Sequence, residues 1–346
     1  KNEDGETEKA RHGKPMEYDL ILCDESSMVK QEYIRELRMQ RAPIVFVGDP
    51  AQLQPVGEER SAAFSEAPEQ WRYLLTEIVR TAEGNPIGEL SQWLRHRVDD
   101  GRVYILQDVQ AQCKAEGWDN RISFIGLHKV HDWAEAAVQR GMECRILAFD
   151  NATVHFHNER MHRRLFPDAE LFGVGELCIA NEAFELNDTE ETLITNGETF
   201  AVLDCQRAAD IAGVPVCDVT IQLPYRLMWK AAGGEVHERG EHVVKVAINA
   251  AVAQARHKEL TDAIWALRRK GESYTRIDEL VELRKPLNKL APLRHCYAST
   301  VHKAQGSTYD IAICDWGSIA KSRDMRARLM YVAATRPAQW LAFATK

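Results

Sequence analysis

Apolar residues along this chain gather in five short continuous runs, at 20–23, 44–47, 146–149, 311–314 and 340–343. Continuous rather than alternating apolarity suits strands buried on both faces of a parallel sheet. Three of the runs end abruptly in polar residues, at Asp24-Glu25, Gly48-Asp49 and Asp150-Asn151. Ligands of open α/β sheets bind at the carboxyl ends of strands, so chemistry is expected at these ends. Between the runs, apolar positions fall at helical spacing. Ile87, Leu90, Trp93 and Leu94 make one such stripe, and Val130, Trp133, Ala134 and Ala137 another. Further helices are predicted over roughly 153–165 and 324–334. Strands alternating with helices predict an α/β architecture.

The middle of the chain reads differently. From about 173 to 248 the pattern is of short strands and turns. Asn196-Gly197, with Leu193 and Ile194 before it and Phe200 and Val202 after it, signals a hairpin. A small β-barrel inserted between halves of an α/β domain is the expectation. The stretch 250–283, rich in Ala, Leu, Arg, Lys and Glu, predicts two helices broken near Gly271 that form a helical arm.

A chain of 346 residues is long enough for two or three domains with their own cores. Its 45% apolar and 28% charged content is that of a soluble globular protein. No apolar run reaches the 18 to 20 residues of a membrane span, and the polar stretch 1–14 does not read as a secretory signal. The eight cysteines form no CxxC pair and several lie in strand-like runs, which predicts buried free thiols in a reducing cytosol. A net charge of −8 argues against a protein that coats nucleic acid with its whole surface, though it leaves room for a local basic channel. The basic stretches 160–164 and 321–328 read as solvated helix faces. His155, His157 and His162 lie on a predicted helix after a strand and read as surface residues, because no carboxylate or cysteine completes a ligand set. Trp93, Trp133, Trp229, Trp265, Trp316 and Tyr225 could stack on bases, but most are expected in cores.

The sharpest chemical signal is LILCDESSM at 20–28, an apolar strand ending in Asp-Glu. The first carboxylate, Asp24, can hold Mg²⁺, and the second, Glu25, can orient and deprotonate a water that attacks a γ-phosphate. About 20 residues later comes IVFVGDPAQLQPVG at 44–57. Here the resemblance is to superfamily-1 helicases, whose motif III reads GDxxQLxPV and whose motif II resembles DESSM. The resemblance implies that Gln52 senses the γ-phosphate and the attacking water, a bridging role that suits an amide able to donate and accept. It implies also that Pro55 faces the DNA side of the same loop.

Further matches follow in family order. The stretch 75–95 resembles motif IV, with Arg80 as its arginine. RILAFDNATVHFHN at 145–158 resembles the next strand-helix element, where the family more often has Thr-Asn in place of Asp150-Asn151. YASTVHKAQGSTYD at 297–310 resembles motif V, T-x-H-K-x-Q-G-S-T. Gly306 allows a tight turn near the nucleotide, and Thr300, His302, Ser307 and Thr308 can hydrogen-bond a DNA backbone without reading sequence. YVAATRP at 331–337 resembles motif VI, with Arg336. Arg80 and Arg336 are the expected pair of guanidiniums on the transferring phosphoryl group.

What the resemblance implies is concrete. The order and the inserted β-rich segment look most like the RecD/Dda branch. The implied fold is two RecA-like parallel sheets, the first incomplete, with an SH3-like β-barrel and a helical insertion. The implied divisions are 1–76, 77–170 with 291–346, 171–248 and 249–290. The implied activity is ATP-driven, 5′-to-3′ travel on single-stranded DNA with Mg²⁺, in the cytoplasm of a bacterial or phage-infected cell. Replication or recombination proteins are possible partners, and no membrane is expected. A relaxase-helicase motor, an RNA helicase and a catalytically dead DNA-binding scaffold are the alternatives. No GxxxxGK[ST] loop occurs in the sequence, and Gly13-Lys14-Pro15 is a poor substitute. Only 23 residues precede Asp24, and the first of them is Lys1 rather than Met. The family's phosphate-binding segment is therefore expected upstream, and this stretch alone is expected to be inactive.

Overall fold

The computed structural model describes residues 18–55, 57–58, 60–75, 84–99, 105–186, 193–223, 229–230, 236–237 and 240–345. In chain order the first elements are β1 (Ile21–Cys23), α1 (Gln31–Arg38), β2 (Ile44–Phe46), α2 (Ala62–Ser65), α3 (Pro86–Asp99) and α4 (Leu106–Glu116). Next come β3 (Ile122–Gly126), α5 (Val130–Gln139), β4 (Cys144–Ala148) and α6 (Asn151–Leu165). The β-rich stretch holds β5 (Leu177–Ala180), β6 (Phe184–Glu185), β7 (Leu193–Ile194), β8 (Thr199–Arg207) and β9 (Val216–Gln222). It continues with β10 (Trp229–Lys230), β11 (Val236–His237) and β12 (Glu241–Ala247). Then follow α7 (Ala250–Lys270), α8 (Tyr274–Asn288), β13 (Leu293–His295) and β14 (Ala298–Thr300). The chain closes with β15 (Tyr309–Asp315), α9 (Trp316–Ile319), α10 (Arg326–Ala334) and β16 (Pro337–Thr345).

Two compact units result, one of Lys1–His157 with Tyr297–Lys346, the other of Asn158–Cys296. The first unit holds a five-stranded sheet in the order β14-β4-β15-β16-β3. Every pairing in it is parallel, as the apolar runs predict. All five residues of β4 are buried, and Ile146, Leu147, Ala312, Ile313, Leu341 and Phe343 are at 0% exposure, so this sheet is covered on both faces. Ile87, Leu90 and Leu94 from α3 and Leu329, Met330 and Val332 from α10 close its core. Each large side chain so buried contributes about 1.5–3 kcal/mol against solvent exposure.

A second, two-stranded parallel sheet joins β1 to β2, in the register Cys23↔Phe46. Burial on both faces does not hold here. Leu22 is 66% exposed and Val45 46%, while α1 and α2 cover the other side through Ile34, Ala62 and Ala63. One apolar face is thus open among the described residues.

The other unit is built on an antiparallel five-stranded sheet in the order β12-β9-β8-β5-β13. Ala291 N–H donates to Lys245 O at 2.8 Å, so the segment entering β13 reaches back to the opposite edge strand β12. Asn196-Gly197 does make a turn, with Gly197 at φ 94°. The expected hairpin does not form, however: β7 pairs with β6, while β8 pairs with β5 and β9. The chain leaves the turn bonded to β5, through Gly197 N–H to Ala180 O at 2.8 Å, and that contact diverts it from β7. Two helices broken at Gly271 are present, as expected. α7 stops at Gly271, whose φ of 64° is the left-handed cap that only glycine adopts without cost, and α8 packs back on it through Leu260 and Leu287.

All eight cysteines are free and six are buried. No helix among the described residues is long and apolar enough to cross a membrane.

Candidate active site

The parallel pairing of β1 and β2 brings their carboxyl ends together. Val47 N–H donates to Cys23 O at 2.8 Å and Ser26 N–H to Val47 O at 2.9 Å, which extends the ladder to the two polar ends. Asp24 is exposed, and its Oδ1 accepts the Glu25 N–H at 2.8 Å. Glu25 has φ 49° and ψ 39°, in the left-handed region, a strain of about 1–3 kcal/mol for a non-glycine residue. That residue caps the short helical turn Ser26–Met28. Gly48 packs closely opposite it. A Cβ there would lie 3.0 Å from Ser26 N and 3.1 Å from the Phe64 ring, so these neighbours would have to give by a few tenths of an ångström.

The loop after β14 completes the cluster. Gln305 Nε2 donates to Gln52 Oε1 at 2.7 Å, lies 3.1 Å from Glu25 Oε2 and is 3.3 Å from Ser27 Oγ. Gly306 follows at φ 80°, and a Cβ on it would come 3.9 Å from Glu25 Oε1. Motifs II, III and V, far apart in sequence, thus meet at one carboxylate. Gln305 Oε1 is buried with no hydrogen-bond partner among the described residues, an acceptor with capacity left for a polar ligand.

The motif III loop is held by residues that sequence reasoning missed. Asp49 Oδ1 accepts the Ala51 N–H at 3.0 Å and Arg95 Nη2 at 3.1 Å, and its Oδ2 accepts the Tyr331 hydroxyl at 2.5 Å. Burial, with the Asp49 carboxylate beside it, pushes the Tyr331 hydroxyl above its ordinary range, so it stays a donor. Arg328 Nη1 donates to Pro50 O at 2.5 Å and to Gln52 O at 2.8 Å. The stretch 321–328 is therefore only partly the solvated face its sequence suggests: Lys321, Arg323 and Asp324 are exposed, while Arg328 donates to backbone carbonyls. Lys321 likewise pairs with Asp150 at 2.8 Å. Gln305 was legible, since it stands inside the motif V match. Arg95 and Tyr331 likewise stand inside the motif IV and motif VI matches, whereas the partners of Arg328 are loop carbonyls brought near only by folding.

The other sequence-derived site residues divide. Arg336 is 2% exposed and does not face an open crevice. Its guanidinium donates to Ser307 O at 3.1 Å, Ala304 O at 3.4 Å, Val332 O at 3.0 Å and Thr335 Oγ1 at 2.6 Å. A buried guanidinium needs acceptors on every side, and these hold the loop on both flanks of Gln305-Gly306. Thr300 is buried, with its hydroxyl accepting the Lys303 N–H at 3.2 Å, and Pro55 is buried too, so neither is presented to a strand of DNA. His302 is half-buried against Phe149, and burial pushes its pKa down, so it is a neutral hydrogen-bonding imidazole. Ser307 is half-buried and Thr308 exposed. Arg80 lies outside the described residues.

Asp150, where the family more often has threonine, serves the start of α6. Burial opposes its charge, but bonds from Lys321, the Thr153 N–H and hydroxyl and Ser318 outweigh this and hold it well below the carboxylate range. The histidines of α6 are only partly the surface residues their sequence suggests. His155 is exposed, but His157 is 1% exposed and His162 5%. His157 bridges His131 at 2.9 Å and Asp315 at 3.0 Å. A carboxylate 14 residues further on also completes the surroundings of His162, where Glu176 lies 3.0 Å away.

Comparison with known proteins agrees with the motif order. Residues 295–344 match the UvrD-like helicase C-terminal domain, and residues 6–111 match the AAA domain. An uncharacterized protein of Acanthamoeba polyphaga mimivirus is 38% identical over 81 residues, which is 22% of this chain and 16% of that protein. The Pif1 helicase of Candida albicans shares the fold, with TM-score 0.50 and 16% identity over 95% of this chain and 72% of its own. A Pif1 helicase from Bacteroides, in complex with ADP-AlF3 and ssDNA, superposes with TM-score 0.45 and 15% identity over 94% of this chain and 70% of its own. The helicase and AAA matches fall on the two sequence stretches that build the first unit, and the stretches resembling motifs II, III and V converge on Glu25, which together support a superfamily-1 helicase.

Proposed function

We propose that this chain is the motor portion of an ATP-dependent helicase of the RecD/Dda-like branch that moves 5′-to-3′ along single-stranded DNA. The observation that carries the reading is the bridge from Gln305 to both Gln52 and Glu25. It ties the carboxylate that would accept a proton to the amide that would sense the γ-phosphate. A change at one of them is felt by the loop that continues into Ser307 and Thr308.

The donor set fits Mg²⁺ and a triphosphate. Asp24 offers an exposed hard oxygen ligand, which suits a cation that keeps most of its waters. Bound Mg²⁺-ATP supplies the phosphoanhydride whose cleavage drives movement. Glu25 takes the proton from the attacking water, and its left-handed backbone holds the carboxylate toward Gln305. Gln52 and Gln305 orient that water through amides that both donate and accept. Arg80 stabilises charge on the phosphoryl oxygens. Arg336 acts first through the loop it grips, by holding Gln305 and Gly306 in place. Ser307, Thr308 and neutral His302 offer hydrogen bonds to backbone phosphates, contacts that grip a strand without reading it.

No GxxxxGK[ST] stretch occurs in the 346 residues, so these residues alone lack the lysine and backbone nest that hold β- and γ-phosphates. The test is ATP hydrolysis with saturating single-stranded DNA, for these 346 residues and for a longer chain carrying such a loop. We expect negligible turnover from the first and DNA-stimulated turnover from the second. Brisk hydrolysis by the 346 residues alone would refute the phosphate-loop argument. A loop-bearing chain that stays silent with DNA would refute the motor. Stimulation by RNA but not DNA would reassign the substrate.

A further inference from the structure

We propose that His162, Glu176 and His295 form a divalent transition-metal site of the Zn²⁺ class that ties together the two ends of the Asn158–Cys296 unit. The site is independent of the nucleotide chemistry. His162 comes from the last turns of α6, Glu176 from the approach to β5, and His295 from the end of β13. His162 lies near the start of the unit and His295 next to its end.

The geometry converges on one carboxylate. His162 Nδ1 lies 3.0 Å from Glu176 Oε2 and 3.3 Å from Oε1, and His295 Nδ1 lies 2.8 Å from Oε1. The two rings stack, with centroids 4.3 Å apart and planes at 21°, so both present the same nitrogen to the same place. All the candidate ligand atoms lie within 4.8 Å of one another. Zinc bonds of about 2.0–2.1 Å in a tetrahedron set ligand atoms roughly 3.3 Å apart, close to the spacing already present. Two imidazoles and one carboxylate are a donor set that suits Zn²⁺ and its late first-row neighbours rather than Mg²⁺ or Ca²⁺.

The outer contacts point the same way. Metal-bound histidines turn their second nitrogen to a carbonyl or carboxylate. His162 Nε2 lies 3.4 Å from Ala169 O, and His295 Nε2 lies 3.9 Å from Glu159 Oε1. Glu176 Oε2 accepts the Gly173 N–H at 2.9 Å, which leaves Oε1 as the oxygen facing both rings. Gly173 cannot carry a side chain, because a Cβ would meet the Phe166 ring at 1.9 Å. On binding, each neutral imidazole carries its proton on Nε2, toward Ala169 O or Glu159, and offers the Nδ1 lone pair to the metal. An imidazolium present beforehand releases one proton per ring.

The test is titration of the whole chain, stripped with chelator, with Zn²⁺ and separately with Co²⁺. We expect one equivalent bound, a visible Co²⁺ spectrum without a thiolate charge-transfer band, and a higher thermal midpoint with Zn²⁺. His162→Gln and His295→Gln should each weaken binding by at least about 100-fold, and Glu159→Gln by about 10-fold. Circular dichroism of each metal-free variant checks folding. Glu159→Gln is the variant expected to fold normally, since Glu159 lies at the edge of the site. Failure of folded wild-type chain to bind one equivalent overturns the site. So does a thiolate band, or Zn²⁺ affinity unchanged in a folded His295→Gln chain.

Discussion

Gln305 Nε2 donates to Gln52 Oε1 at 2.7 Å, joining two amides that stand 253 residues apart in sequence. The same nitrogen lies 3.1 Å from Glu25 Oε2, so one side chain links motif V to both motif II and motif III. Such a link joins the Glu25 carboxylate and the loops carrying Gln52 and Gln305 into one hydrogen-bonded element.

That link sets a first expectation. In a chain that also carries a phosphate-binding loop, Gln305→Ala should lower DNA-stimulated kcat for ATP hydrolysis by about 100-fold, the usual cost of one positioned donor. KM for ATP should change much less, because the amide acts on the water and not on the bound nucleotide. Steady-state kinetics decide this, and a kcat within about twofold of wild type would remove Gln305 from the mechanism.

Arg328 is expected to matter for stability. It holds the motif III loop through Pro50 O and Gln52 O. Hydrogen bonds from a charged donor contribute about 1.5–3 kcal/mol, so Arg328→Ala should destabilise the first unit by about 2 kcal/mol. Urea denaturation followed by tryptophan fluorescence measures it, and an unchanged midpoint would show the clasp to be dispensable.

Gly48→Ala should be harmful despite its small size. The added methyl would press on Ser26 N and the Phe64 ring, at 3.0 and 3.1 Å. Overpacking of this kind costs about 1–3 kcal/mol and pushes the two strand ends apart. We expect a lower thermal midpoint together with weaker nucleotide binding, whereas the ordinary stability of an exposed Gly→Ala change would contradict the close approach.

Asp315 gives the pH dependence. Burial opposes its charge, but the His157 side chain and the Ser318 N–H outweigh it and hold the carboxyl below the ordinary range. A group whose folded pKa is depressed stabilises fully above its unfolded value, about 3.9, and loses that contribution as pH falls through the folded value. Wild-type stability should therefore drop below about pH 4 more steeply than that of Asp315→Asn. Thermal melts from pH 2 to 7 check it, and parallel curves would deny Asp315 that role.

Much was legible before folding. The continuous apolar runs marked β1, β2, β4, β15 and β16 but not β3 or β14 of the five-stranded sheet, and Asp24, Glu25 and Gln52 stood at or just after the ends of such runs, because burial on both faces is written locally in residue type. Gly271 marked the helix break for the same reason. Tertiary structure alone decided the rest. It spent the Arg336 charge on loop carbonyls, sent the chain on either side of Asn196-Gly197 to different partners, and set Glu176 between His162 and His295. Each of these depends on which distant groups come within hydrogen-bonding reach. Polar side chains are satisfied by whatever partner the packed chain delivers, and that choice is made in three dimensions rather than along the sequence.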